Sequence, residues 1–286
     1  MTKQKRDIKA EVTETIANLM TEHGSDWIKP FGSLCGAPTN AVTGEKYKGM
    51  NALLLGCLGI SWAAGYGQWQ TIGAQVRKGS KAIAITAPMP IKDKETGDVS
   101  FMLFRPANIF TASQVDGWEA PQIEARDKTE VLADVDRYVD NLGADIRTTD
   151  NGQAFYVPAL DYVSMPPRSA FTDTPTSNAT ECYYSTLLHE LVHWTGHKTR
   201  CTRISEKNNE KRGYAFEELV AEIGAAMLCA QLGVSLEVRP DHAKYLNNWL
   251  AALDGDKNYI HDAAKLAGQA VEYLDGLQSD SLDMAA

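Results

Sequence analysis

The chain has 286 residues, 44% hydrophobic and 23% charged, a balance that excludes a disordered polymer and leaves room for two domains. No apolar run reaches the roughly 18 residues of a membrane span, and the start MTKQKRDIKAEVTETIANLM has no apolar signal-peptide core, so a cytoplasmic protein without a membrane partner is expected. A net charge of −9 argues by itself against a nucleic-acid partner, and five cysteines without a C-x-x-C pair fit reduced thiols better than a disulfide framework.

The charge is unevenly spread. Residues 1–126 hold 14 Lys and Arg against 12 Asp and Glu, or +2, whereas residues 127–286 hold 14 against 25, or −11. A basic domain over residues 1–125 and an acidic one over 126–286 are predicted, with the boundary in Asp116-Gly117-Trp118-Glu119-Ala120-Pro121 and the polar residues after it.

Ile8, Val12, Ile16 and Leu19 predict a helix over 8–22, followed by a turn at Gly24 toward Trp27 and Pro30-Phe31. The glycine-bounded turn 43–49 sets Tyr47 between Lys46 and Lys48, and a second helix is predicted from near Asn51. Trp62, Tyr66 and Trp69 follow, then Val76-Arg77-Lys78-Gly79-Ser80-Lys81. Strands are predicted at Ala82 to Ala87, Phe101 to Phe104 and Ile109 to Thr111, which makes this half α+β.

Cations among aromatics meet the needs of single-stranded DNA or RNA, since phosphates call for positive charge and unpaired bases for flat rings. Lys46, Tyr47, Lys48, Trp69, Arg77, Lys78 and Lys81 are the candidate contacts. The competing reading buries Trp62 and Trp69 in a core and leaves the lysines as a solvated rim. Lys78-Gly79-Ser80 is not the end of a phosphate-binding loop, because Arg77 stands where that loop needs glycine.

In the second half, Ala154 to Pro158 and Asp161 to Met165 read as short strands ended by Pro166-Pro167, the second a candidate edge for an extended peptide. The central motif is His189-Glu190-Leu191-Val192-His193. Positions four apart on a helix differ by only about 40°, so both imidazoles share a face. Asn178 or Thr180 can cap this helix, and Gly196 can end it. The pattern is that of a zinc site in which Glu190 is the general base for a water in the open position.

A third ligand must come from elsewhere. The metzincin spacing would put it at Thr199, which rarely ligates zinc, and His197 lies beyond the helix stop. Glu218 and Glu222 in Glu217-Glu218-Leu219-Val220-Ala221-Glu222 share one face of an apolar helix, where a carboxylate needs a reason to be. By the thermolysin-like register Glu218 is the ligand and Glu222 hydrogen-bonds a ligating histidine, with exchanged roles as the alternative. Zinc is the expected ion, with manganese also compatible. Oxyanion help would come from Tyr183, Tyr184, His197 or Tyr214. Amphipathic helices follow at 215–232, 243–253 and 263–277, so this half is mainly helical with a small sheet, and 278–286 is expected to fray.

Trp27 to Phe31 with Tyr47-Lys48-Gly49-x-Asn51, Trp69 through Gly79 to Lys81, and Gln114-Val115-Asp116-Gly117 resemble the ArdC-like antirestriction proteins of conjugative plasmids and phages. HELVH followed by EELVAE resembles the zincin-like metallopeptidase half of that family. The resemblance spans nearly the whole chain. It implies an amino-terminal domain that binds single-stranded DNA, a zinc-peptidase fold with His189, His193 and Glu218 on the metal and Glu190 as base, and protection of incoming DNA from host restriction.

Two function classes follow. One is a peptidase, whose DNA-binding half would bring it near a DNA-bound protein such as a restriction enzyme. The other is a sequence-tolerant strand-coating protein whose metal is structural.

Overall fold

In a computed structural model, residues 7–32, 34, 36–93, 96–121, 128–204, 213–236 and 243–278 are described. The predicted tail beyond Gln278 lies outside them.

Helix α1 (Ile8–His23) starts where the Asp7 side chain accepts from the Ala10 N–H, and it buries Ile8, Val12, Ile16 and Met20, one per turn. The chain then brings Phe31 against α2 (Gly49–Cys57). A Cβ on Gly56 would stand 2.0 Å from Phe31 Cδ2, so only glycine fits there. Asn51 ties α2 to a neighbouring strand, donating to Thr86 O at 2.7 Å and accepting from Thr86 N at 3.2 Å.

Strands β1 (Thr39–Asn40) and β2 (Trp62–Gly65), helix α3 (Tyr66–Thr71) and strands β3 (Gln75–Val76), β4 (Ile83–Lys92), β5 (Val99–Thr111) and β6 (Val115–Asp116) complete this half. One sheet has the order β1-β2-β5-β4, and β3 pairs with β6. Phe101 to Phe104 and Ile109 to Thr111, predicted as two strands, are ends of the single strand β5. The strand runs on through Pro106, which lies opposite Thr86, because β4 pairs with β5 along nearly its full length.

The second half opens with α4 (Lys128–Asn141), whose Val135, Tyr138 and Val139 are buried. Strands β7 (Asp145–Thr148), β8 (Phe155–Val157) and β9 (Tyr162–Met165) form a sheet of order β7-β9-β8. Helices α5 (Ala179–Thr195), α6 (Tyr214–Leu232), α7 (Ala243–Gly255) and α8 (Tyr259–Gly276) follow. The architecture is α+β, as expected.

The stretch Asp161 to Met165, read as a peptide-accepting edge, is corrected by this topology. As β9 it pairs parallel with β7 and antiparallel with β8, so both its edges are spent, and the edge beside α5 is β8.

The main core runs continuously through both halves. Ile16, Met20, Trp27 and Leu53 belong to the same buried cluster as Leu188, Val220, Ile260 and Leu274. Backbone bonds cross too, with Gly36 N–H donating to Ala230 O at 3.1 Å. A second, small cluster holds Ala64, Trp69, Ala74, Val76 and Val115. Among the described residues no helix is long and apolar enough to cross a membrane.

Candidate metal centre

Helix α5 is fixed at both ends. Asn178 accepts from Glu181 N at 2.9 Å while Glu181 accepts from Asn178 N at 2.9 Å, a reciprocal cap. At the other end the chain folds back over Gly196, whose carbonyl accepts from Arg203 N at 2.9 Å and Ile204 N at 2.8 Å. That return carries Arg203 beneath the histidine helix.

Helix α6 packs against α5 closely enough for their polar side chains to meet. A Cβ on Gly224 would lie 2.8 Å from Val192 Cγ2, so glycine permits the approach. His189 Nε2 and His193 Nε2 face each other at 3.2 Å. Glu218 stands 3.6 Å from the first and 3.5 Å from the second. Ligand atoms at about 2.0–2.2 Å from a tetrahedral ion lie about 3.3–3.6 Å apart, so this donor set has the spacing of a zinc-type site.

The charge balance points the same way. Glu190, Glu217, Glu218 and Glu222 are all buried, 2–6% exposed, and among the described residues Arg203 is the one buried guanidinium beside them. With neutral imidazoles the cluster carries a deficit of three charges, a costly state in a dry interior that a divalent cation relieves. In the metal-free protein protons take that part. Burial opposes protonation of His193, but hydrogen bonds to Glu217 and Glu218 and the charge of Glu190 outweigh it, pushing its pKa up to about 10. Burial likewise opposes ionisation of Glu218, and its contacts with His189 and His193 hold the carboxyl well below the usual carboxylate range.

The histidines have partners on their far sides. His189 Nδ1 faces Glu222 at 3.7 Å. His193 Nδ1 lies 3.2 Å from Glu217 Oε1, so the proton on Nδ1 is held there, and loss of the other proton to an incoming metal would leave the Nε2 lone pair facing the site. Arg203 grips Glu217 through Nε at 2.9 Å and Nη2 at 2.9 Å, and donates from Nη2 to Val192 O at 2.6 Å. Sequence reasoning missed Glu217 and Arg203. The signal for Glu217 was its neighbour: two histidines four apart expose two Nδ1 atoms, and each needs its own acceptor.

Of the four oxyanion candidates, Tyr214 alone adjoins the donor set. Its ring lies parallel to that of His193, with centroids 6.5 Å apart, and its hydroxyl is hydrogen-bonded to Glu218. Tyr184 donates instead to Asp136, Arg168 lies over the Tyr183 ring, and His197 Nδ1 bonds Thr199.

The basic and aromatic candidates of the first half are scattered. Lys46, Lys48, Arg77, Lys78 and Lys81 are exposed. Lys48 pairs with Glu272 at 2.8 Å, and the half-buried Tyr47 donates to Ala63 O at 3.0 Å. Arg77 bonds Asp116 at 2.9 Å and Val115 O at 3.0 Å, so its guanidinium holds its own turn together. Trp69 requires a correction. It is fully buried, donates from its indole to Phe110 O at 3.0 Å and meets Trp118 edge-on, so it offers no face to a base.

Two imidazoles from one helix and a carboxylate from the next, with a glutamate beside the first histidine, define a zincin-type centre. Residues 133–266 match the zincin-like metallopeptidase family, and residues 6–131 match the N-terminal domain of anti-restriction factor ArdC.

The metal-free crystal structure of antirestriction ArdC from plasmid R388 is similar at a TM-score of 0.76, with 34% identity over 95% of this chain and 98% of that one. Its Mn(II)-bound form gives 0.79, with 33% identity over 96% and 100%. Protein y4eC of Sinorhizobium fredii is 34% identical over 96% of this chain and 94% of its own. DNA primase TraC of Escherichia coli is 31% identical over 96% of this chain, which spans only 27% of TraC. The chain belongs to the ArdC antirestriction family.

Proposed function

We propose that this protein binds single-stranded DNA through residues 1–125 and carries a zinc-dependent metallopeptidase in residues 126–286, acting in the cytoplasm to protect incoming plasmid or phage DNA from host restriction. The convergence of His189, His193 and Glu218 within 4.8 Å of one another, inside a cluster short of positive charge, carries the peptidase part. The kinship with a primase and an antirestriction protein supports the DNA part.

His189, His193 and Glu218 would hold zinc, with manganese as the alternative suggested by the Mn(II)-bound relative. When bound, the ion acidifies a coordinated water toward a pKa of about 7 and polarises a peptide carbonyl. The protein groups divide the remaining work. Glu190 accepts the proton and later delivers it to the leaving amine. Tyr214, whose hydroxyl is hydrogen-bonded to Glu218, donates toward the carbonyl oxygen. Glu217, held by Arg203, keeps the His193 lone pair aimed at the site. Bound DNA would raise the local concentration of a DNA-bound protein substrate such as a restriction enzyme.

Glu190→Gln should keep the metal and abolish cleavage of a peptide library. Equal hydrolysis by mutant and wild type would overturn the peptidase reading. DNA-stimulated cleavage of a restriction nuclease tests the link between the halves.

A further inference from the structure

With Trp69 buried, the base-stacking surface assumed in the DNA-binding reading has to lie elsewhere, and one open cleft has the required chemistry. It measures about 740 Å³, within the roughly 300–1,000 Å³ of small-ligand sites. Its lining includes the rings of Tyr66 and Phe110, the turn from Arg77 to Ser80, and Asp116.

The aromatic side is exposed but fixed. Tyr66 is 45% exposed, and its ring meets Phe110 edge-on with centroids 6.1 Å apart. It opens α3, whose start is held by Gly65 N–H donating to Gln68 Oε1 at 2.9 Å. On the same helix, Trp69 is buried in the small core and meets Trp118 edge-on, with centroids 5.2 Å apart. A ring held this way presents a face with little ordering cost, which is what a stacked base requires.

The polar side suits a phosphate. The turn is closed by Ser80 N–H donating to Arg77 O at 3.1 Å, and Gly79 takes φ +88° with open space where a Cβ would project. Gln114 braces it from behind, accepting Arg77 N–H at its carbonyl at 2.9 Å and donating to Lys81 O at 2.9 Å. Asp116, the carboxylate of the cleft, is neutralised by Arg77 at 2.9 Å, which leaves the exposed Lys78 to set the sign of the rim.

We infer that this cleft holds one nucleotide of a single strand, its base stacked on Tyr66 and a flanking phosphate at Lys78. The inference rests on the DNA-binding reading and names the site for it. Arg77 is a positioning residue here, acting through the shape of the turn.

The test titrates the full-length protein with a fluorescein-labelled thymidine oligonucleotide and with an abasic deoxyribose phosphate strand of equal length. Tyr66→Ala should weaken thymidine binding by roughly 5- to 150-fold, as expected for one lost stacking contact, while leaving abasic binding unchanged. Tyr66→Trp should bind thymidine at least as well as wild type, with quenching of the introduced indole. Lys78→Ala should weaken both strands and reduce the salt slope by about 0.7. Thymidine binding by Tyr66→Ala equal to wild type, with an unchanged circular dichroism spectrum, would overturn the inference and leave DNA binding standing. Failure of the wild type to bind either strand would overturn the DNA-binding reading itself.

Discussion

Gly224 on α6 rests against Val192 on α5, where any added Cβ would lie 2.8 Å from a valine methyl. Val192 directly precedes the ligand His193, and Gly224 follows Glu222 by two residues, so the contact sets how near the carboxylates come to the imidazoles. Gly224→Ala forces the helices apart or displaces Val192, at a cost of about 1–3 kcal/mol. The thermal midpoint should fall, and zinc affinity, measured by competition with a chromophoric chelator, should fall with it. Val192→Ala in the same chain should restore both.

Removing either member of the Glu217–Arg203 pair has distinct consequences. Glu217→Gln keeps the shape but loses the charge that holds His193, so zinc affinity should drop roughly 10- to 100-fold. Arg203→Ala strands a buried carboxylate, and the loss of about 3–5 kcal/mol should appear chiefly in chemical denaturation. A double mutant less damaged than the sum of the two would establish that they act as a unit.

The metal-free protein should lose stability on the alkaline side. The folded-state pKa of His193 is raised from 6.5 to about 10, so its contribution is fully present below about pH 6.5 and is lost as pH rises through about 10. Metal binding runs the other way, because it must displace that proton, and affinity should increase with pH over the same window. Denaturant midpoints of chelator-treated protein and zinc affinities across this range check both signs.

The site was more legible in the sequence than the surfaces around it. His189, Glu190 and His193 are marked by spacing alone, and Glu218 and Glu222 by being carboxylates on an apolar face. Arg203 was not legible, because its role depends on a loop that folds back over Gly196. Helix α4 was not read from the sequence, because its apolar run of Val131, Leu132, Val135, Tyr138 and Val139 is interleaved with acidic residues.

Aromatic residues misled for a physical reason. Trp62, Tyr66 and Trp69 look alike in composition, and only packing separates the buried Trp69 from the exposed Tyr66. Likewise, Asn51 and Gln114, within motifs that signal the family, serve the fold, the first bonded to Thr86 and the second to the turn at Lys81. The continuous core was also beyond composition, since charge divides the chain near residue 126 while α1 and α2 pack against helices of the second half.

The most direct test of the account is the zinc content of purified wild type, Glu218→Ala and Glu222→Ala, read by atomic emission on folded, monodisperse samples. Wild type should hold stoichiometric zinc, Glu218→Ala should hold almost none, and Glu222→Ala should keep it with weaker affinity. Stoichiometric zinc in Glu218→Ala, at wild-type affinity, would contradict the assignment of this carboxylate and with it the proposed centre.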